Sequence, residues 1–387
     1  MTGRIVLEVH RNRNGLELRG KGASRGPVKT RTLDPTEPES PAAGVLPGPL
    51  PVLPDEHLFT GPIHQRPRVI DHDWGRRAFD RVFGTQRDQP GHLLSWWESQ
   101  VSEALEAGED VELIVDLAAS DERSLAWPWE ALVAPTPESN IPPTGYALGL
   151  APNAASVDVV RRITDFGRAP PALISDEAKQ PLDGTVALAH VGDHQHAPVK
   201  KVHGARAHLF EHLKGRDLSW NQLAGEGDLT RGRPIHQRLS NERTSILDIV
   251  AHCPEYSADH MVAWNGATEP WTGPLGLAAL VNSHAVRSLK VVVLSCCHTA
   301  QCRHSASPIP ALLYSGIPAA IGWYGPTSQR VQHAFGVGFY HALARGAPLA
   351  RAVSEARTTI LNSPDGIESH WQVHAFGPRL FVHPDWP

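Results

Sequence analysis

The chain has 387 residues, a formal net charge of −5 and 20% charged side chains. That balance lacks the basic excess of a dedicated nucleic-acid binder, and no apolar run reaches the roughly 18–20 residues a membrane span requires. The opening MTGRIVLEVHRNRNG has no apolar segment of the secretory type, and four cysteines, two of them adjacent, make no disulfide framework; a cytoplasmic protein is expected.

In chain order, Arg4–Gly22 holds two alternating runs, IVLEVH and LELRG, with Asn14-Gly15 between them, which predicts a β-hairpin. Thr32–Pro67 is crowded with Pro and polar residues and reads as an irregular connection. Leu93, Leu94, Trp97, Val101, Ala104 and Leu105 recur at helical spacing within Gln89–Gly108, and Gly108 is placed to stop that helix. Val111–Leu117 reads as a strand, Trp127–Val133 as a short helix opened by Pro128, and Ser156–Arg162 as another strand.

Strands and helices then alternate. Val186–His190 is a strand, Val202–Leu213 a helix, Ile246–Ala251 a strand, Gly273–Ser283 a helix, and Val291–Leu294 a strand. Pro318–Trp323 gives a further strand, Gln329–Ala344 and Pro348–Leu361 two helices, and Val373–Val382 contains an extended segment. Such alternation predicts an α/β fold with a mostly parallel central sheet and helices on both faces. Residues 1–110 are read as a β-rich N-terminal extension and 111–387 as the main domain.

Two strand ends carry the chemistry. The β-branched run Val291–Leu294 stops at Ser295-Cys296-Cys297-His298, and Ile246–Ala251 stops at His252-Cys253. In open α/β sheets ligands bind where the carboxyl ends of the strands leave the sheet. Neighbouring strands ending this way deliver a thiol and an imidazole to one edge, as nucleophilic catalysis requires. Adjacent strand residues point to opposite faces, so Cys296 is read as buried structure and Cys297 as the outward thiol. His298 is read as loop polarity.

At this point the chain resembles a known family, the CHAT domains of the caspase-like cysteine peptidases. Pro128-Trp129-Glu130-Ala131-Leu132 is similar to the family's Pro-Trp-Glu segment, and VVVLSCCHTA (Val291–Ala300) to its strand and nucleophile turn. Tyr314–Gly322 (YSGIPAAIG) resembles the following Gly-x-Pro strand, and Phe339–Leu343, Gly346–Leu349 and Ala352 its next helix pair. Cys297-His298-Thr299-Ala300 is also similar to the Cys-His-Ser-Gly turn of metacaspases. The resemblance runs from about residue 110 onward. It departs at the histidine strand, usually His-x-x-Gly-His-Gly, where this chain reads Asp248-Ile249-Val250-Ala251-His252-Cys253.

The resemblance implies a caspase-like fold and a cysteine endopeptidase, with Cys297 as nucleophile and His252 as general base and acid. Backbone N–H groups of Cys253 and Cys297 would bind the oxyanion. Ser295, two residues before the nucleophile, and the acidic Asp248, Glu255 and Asp259 are candidates for the substrate pocket. The implied partners are a protein substrate and an activating or regulatory protein, in a bacterial defence or cell-death setting, with no metal or other cofactor. Trp129 and Glu130 are read as structural, the ring filling the core and the carboxylate satisfying backbone donors. Gly316, Pro318 and Gly322 are read as turn and packing positions.

Two other readings are open. A zinc site would draw on Cys296, Cys297, His298, Cys302 and His304, with His190, His194 and His196 as a second group, though the spacings fit zinc pairs poorly. The replaced glycines also suit a peptidase-like interaction module without activity.

Overall fold

A computed structural model describes residues 3–12, 15–21, 29–33, 72–84, 93–102, 104, 107–121, 124–125, 127–134, 146–151, 156–167, 170–182, 185–191, 197–214, 219–222, 243–251, 287–297, 299–300, 308–324, 327–362 and 376–386. Its strands are β1 (Gly3–Asn12), β2 (Gly15–Lys21), β3 (Lys29–Leu33), β4 (Val111–Ala118), β5 (Val133–Ala134), β6 (Tyr146–Ala147) and β7 (Val157–Asp165). They continue as β8 (Thr185–Val191), β9 (Ser219–Gln222), β10 (Ile246–Ala251), β11 (Val291–Ser295), β12 (Ala319–Trp323) and β13 (Pro378–Val382). The helices are α1 (His72–Phe83), α2 (Leu93–Trp97), α3 (Ala197–Leu213), α4 (Pro308–Tyr314), α5 (Gln329–Ala344) and α6 (Leu349–Leu361).

Eleven strands form one sheet in the order β3-β2-β1-β4-β7-β13-β12-β11-β10-β8-β9. Pairing is parallel except at β1–β2, β2–β3 and β12–β13. The expected mostly parallel sheet is therefore present. β1 lies parallel to β4, Gly3 opposite Val111, so the N-terminal strands extend this same sheet. Asn12 pairs with Gly15, which makes Gly15 the first residue of β2 rather than part of the turn.

Alternation along the strands divides the core between two faces. Leu113, Val115, Leu247, Ile249, Val292 and Leu294 face α1, α2 and α4. Ile114, Val160, Val186, Ile246, Val291, Val293 and Ile321 face α3, α5 and α6. β10, β11 and β12 are buried along their whole length, as strands covered on both faces must be. Each such Val, Ile or Leu side chain taken out of water stabilises the fold by roughly 1.5–3 kcal/mol.

Several local expectations change. The helix expected within 89–108 is a short α-turn, Leu93–Trp97, followed by a π-turn, Glu98–Ser102; Gly108 does adopt a positive φ of 73°. Trp127–Val133 holds only a single 3-10 turn, Trp129–Ala131. α1, α4 and β9 were not anticipated, and the expected helix Gly273–Ser283 lies outside the described residues. So does the Pro-rich connection beyond Leu33.

Glu130 is structural, but not by satisfying backbone donors. Its carboxylate takes a two-pronged pair from Arg161, 2.8 and 2.6 Å, with both groups buried. Arg161 also donates to the carbonyls of Leu125 and Trp127, while Arg357 donates to Pro378 and Gly149 and Arg379 to Leu125. Burial pushes the Glu130 carboxyl up, and attraction to Arg161, Arg357 and Arg379 overrides it, holding it at about 2. Gly149, at φ 75°, permits this layer: a Cβ there would lie 2.9 Å from the Glu130 Cβ.

Candidate active site

β10 and β11 are neighbouring parallel strands, with Ile246 opposite Val291 and Val250 opposite Ser295. Both therefore leave the sheet on the same edge. Cys296 is fully buried, with its sulfur 3.9 Å from the Ile249 carbonyl, as expected of the inward residue. Cys297 is only partly buried.

The turn that carries Cys297 is tied to the end of β12. Thr299 Oγ1 donates to the Cys296 carbonyl at 3.1 Å and accepts the Trp323 amide at 3.0 Å, and the Ala300 amide donates to Trp323 at 2.9 Å. Gly322 leaves room for this join, since a Cβ there would meet Thr299 Oγ1 at 3.0 Å and the Ala300 nitrogen at 3.1 Å. Its reading as a packing position holds for that reason.

The sulfur of Cys297 sits against Thr327. The Thr327 amide donates to Sγ at 3.4 Å, and the thiol reaches the Thr327 carbonyl at 3.8 Å. Ser328 then caps α5, its hydroxyl accepting the Val331 amide at 3.2 Å. The 16-residue α5 thus begins beside the thiol. Amide hydrogens and the positive end of a helix favour negative charge. The Thr327 carbonyl, in contrast, favours the protonated thiol.

Asp248 and Ser295 turn inward from the two strands. Both are fully buried on the α3/α5 face of the sheet. Asp248 Oδ1 accepts the Ser295 hydroxyl and Oδ2 the Tyr340 hydroxyl, each at 2.8 Å. Arg206 of α3 lies 3.1 Å from Oδ2, an ion pair whose N–H is not aligned for a hydrogen bond. Burial and the adjacent Asp248 carboxylate push the Tyr340 hydroxyl well above its ordinary value. Burial pushes His203, near this carboxylate, below the usual imidazole range. The polar atoms of Asp248 and Ser295, expected at the substrate pocket, are engaged with one another and with side chains of α3 and α5.

His252, Cys253, Glu255 and Asp259 lie outside the described residues, as do His194, His196, His298, Cys302 and His304. Among the described residues no group of three or more His, Cys, Asp or Glu side chains is placed to hold a metal ion, and no helix is long and apolar enough to cross a membrane. Sequence reasoning did not single out Thr327 or Ser328. A Ser three residues ahead of an apolar helical run is a start signal, and Ser328 before Val331 fits it.

Residues 257–376 match the family model described as the CHAT domain. The matched segment contains Cys297 and spans β11 to α6, in line with the resemblance seen in the sequence. It is less than half of the chain and begins after His252. No curated protein matches significantly in sequence. Among solved structures, the Arg-specific cysteine proteinase gingipain R aligns with a TM-score of 0.42 and 12% identity over 74% of this chain and 66% of that one. A complex of Porphyromonas gingivalis RgpB pro- and mature domains gives 0.44, 11%, 73% and 67%. A Saccharomyces cerevisiae separase–securin complex gives 0.38 and 11% over 79% of this chain, and only 18% of that one.

Proposed function

We propose that the protein is a cysteine endopeptidase in which Cys297 is the nucleophile and His252 the general base and acid. The observation that carries this reading is the thiol at the carboxyl end of β11, held against the start of α5, next to a parallel strand that runs directly into His252. Val250 is opposite Ser295, and His252 and Cys297 each follow two residues further along. The CHAT match over the cysteine strand supports the same chemistry.

In this mechanism the imidazole takes the Cys297 proton, and the thiolate attacks the peptide carbonyl carbon. The oxyanion accepts the backbone N–H groups of Cys297 and Cys253. The imidazolium then returns its proton to the leaving amine, and water hydrolyses the thioester. Loss of one oxyanion donor typically costs about 10²–10³ in rate. An acidic contribution to the substrate pocket falls to Asp259 rather than to the enclosed Asp248. The substrate is a protein, acted on in the cytoplasm of a bacterium under control of an activating or regulatory partner, with defence or cell death as the setting.

The test compares wild type with Cys297→Ala and His252→Ala, each incubated with the products of neighbouring genes. Fragments seen by mass spectrometry with wild type alone support the reading. A second reading, an inactive interaction module, is favoured by Ala251 and Cys253 standing where the family pattern has glycines. It prevails if a thiol-directed probe labels Cys297 no faster than Cys302 and His252→Ala changes nothing.

A further inference from the structure

We propose that Arg206 is a positioning residue for the Cys297 thiol, acting as a clamp between the cysteine strand and the start of α5. The inference rests on the reading of Cys297 as the reactive thiol. Arg206 is 2% exposed and projects from α3 across α5. One side of its guanidinium pairs with Asp248, which itself accepts the hydroxyl of Ser295, two residues before Cys297. Its Nη2 donates to the carbonyl of Gln332 at 3.1 Å, in the first turn of α5.

That carbonyl lies one turn from Ser328, and the backbone of the preceding Thr327 meets the sulfur. One buried cation therefore fixes both walls of the thiol site, the strand through Asp248 and Ser295 and the helix through Gln332.

Gly336 shows that the crossing is built in. A Cβ at that position would fall 0.9 Å from Arg206 Nη1 and 2.1 Å from its Cζ. Only glycine lets the guanidinium lie there. Tyr340, one turn on, flanks it with its ring centroid 5.3 Å from Cζ. Arginine suits the task because its planar fork reaches two acceptors in fixed geometry, where lysine offers a single point charge.

A purely structural pair would change stability when broken and leave the chemistry of the thiol alone. The two outcomes separate in the pH dependence of Cys297 alkylation by iodoacetamide, followed by peptide mass spectrometry on the full chain. Gly336→Ala, which evicts the guanidinium without removing it, is expected to shift the profile to higher pH and slow labelling at neutral pH about three- to tenfold, the range a helix-terminus contact with charge supports. Arg206→Lys is expected to do the same, and stands in if Gly336→Ala does not fold. Tyr340→Phe removes one bond to Asp248 and keeps the Arg206–Gln332 link, so it should lower stability and leave the profile in place. An unchanged profile in folded Gly336→Ala or Arg206→Lys overturns the clamp while the reactive-thiol reading stands. If wild-type Cys297 reacts no faster than an unstructured peptide thiol, that reading and the clamp fall together.

Discussion

The amide of Thr327 donates to the sulfur of Cys297 at 3.4 Å, joining the segment ahead of α5 to the turn behind β11. The aim of that amide depends on how α5 begins. Ser328→Ala removes the side-chain acceptor for the Val331 amide and should cost about 1 kcal/mol, as N-cap losses do. The freed first turn should also slow alkylation of Cys297. Urea denaturation and thiol labelling on the same sample check both; an intact labelling rate in a destabilised variant would detach the cap from the thiol.

Thr299→Val tests the join between the cysteine turn and β12. The hydroxyl accepts the buried Trp323 amide and donates to the Cys296 carbonyl. Valine keeps the shape and strands both partners, at a cost of about 1–3 kcal/mol for each polar group left without a bond. Denaturant midpoints measure the loss, and Thr299→Ser should recover most of it.

Glu130→Gln should be among the most damaging single changes. It leaves Arg161, Arg357 and Arg379 buried without their counter-charge, and breaking a buried pair from one side costs about 3–5 kcal/mol. The same group sets an acid limit. Its folded value of about 2 lies below its ordinary 4.5, so its contribution is present above pH 4.5 and is lost as pH falls toward 2. Equilibrium unfolding between pH 7 and pH 3 should show wild type losing stability that Glu130→Gln never had.

Asp158 works in the opposite sense. Burial raises its carboxyl to about 6 from 3.8, against a hydrogen bond from the Ser156 hydroxyl at 2.9 Å. An acid whose folded value is raised stabilises the fold below its unfolded value, and that stability is lost as pH rises through about 6. Stability should therefore gain up to about 3 kcal/mol on going from pH 7.5 to pH 4 at this position. Asp158→Asn should remove that gain, as urea midpoints at the two pH values would show.

Where hydrophobic pattern decides structure, the sequence was readable. Val291–Leu294, Ile246–Ala251 and Gln329–Ala344 are apolar runs of clear period, and each forms the element expected. The miss at α1 has a physical cause: Ala78, Phe79, Val82 and Phe83 bury one narrow stripe of an otherwise charged helix. Trp127–Val133 misled because its aromatic residues are buried by a 3-10 turn and an arginine layer, not by a helix. The place of Cys297 just behind β11 was legible because a strand end announces itself. Arg206, Tyr340 and Thr327 were not, since their roles arise from contacts across 126, 92 and 30 residues that no local pattern records.

β13 has a consequence for how the molecule is assembled. It lies between β12, to which it is antiparallel, and β7, to which it is parallel, yet it follows every other strand in sequence. The strands β3, β2, β1, β4 and β7 form one block of the sheet and β12, β11, β10, β8 and β9 another, and residues 378–382 supply the strand that joins the two blocks edge to edge. β12, the strand beside the thiol-bearing β11, thus gains its second strand neighbour only after residues 378–382 have been made.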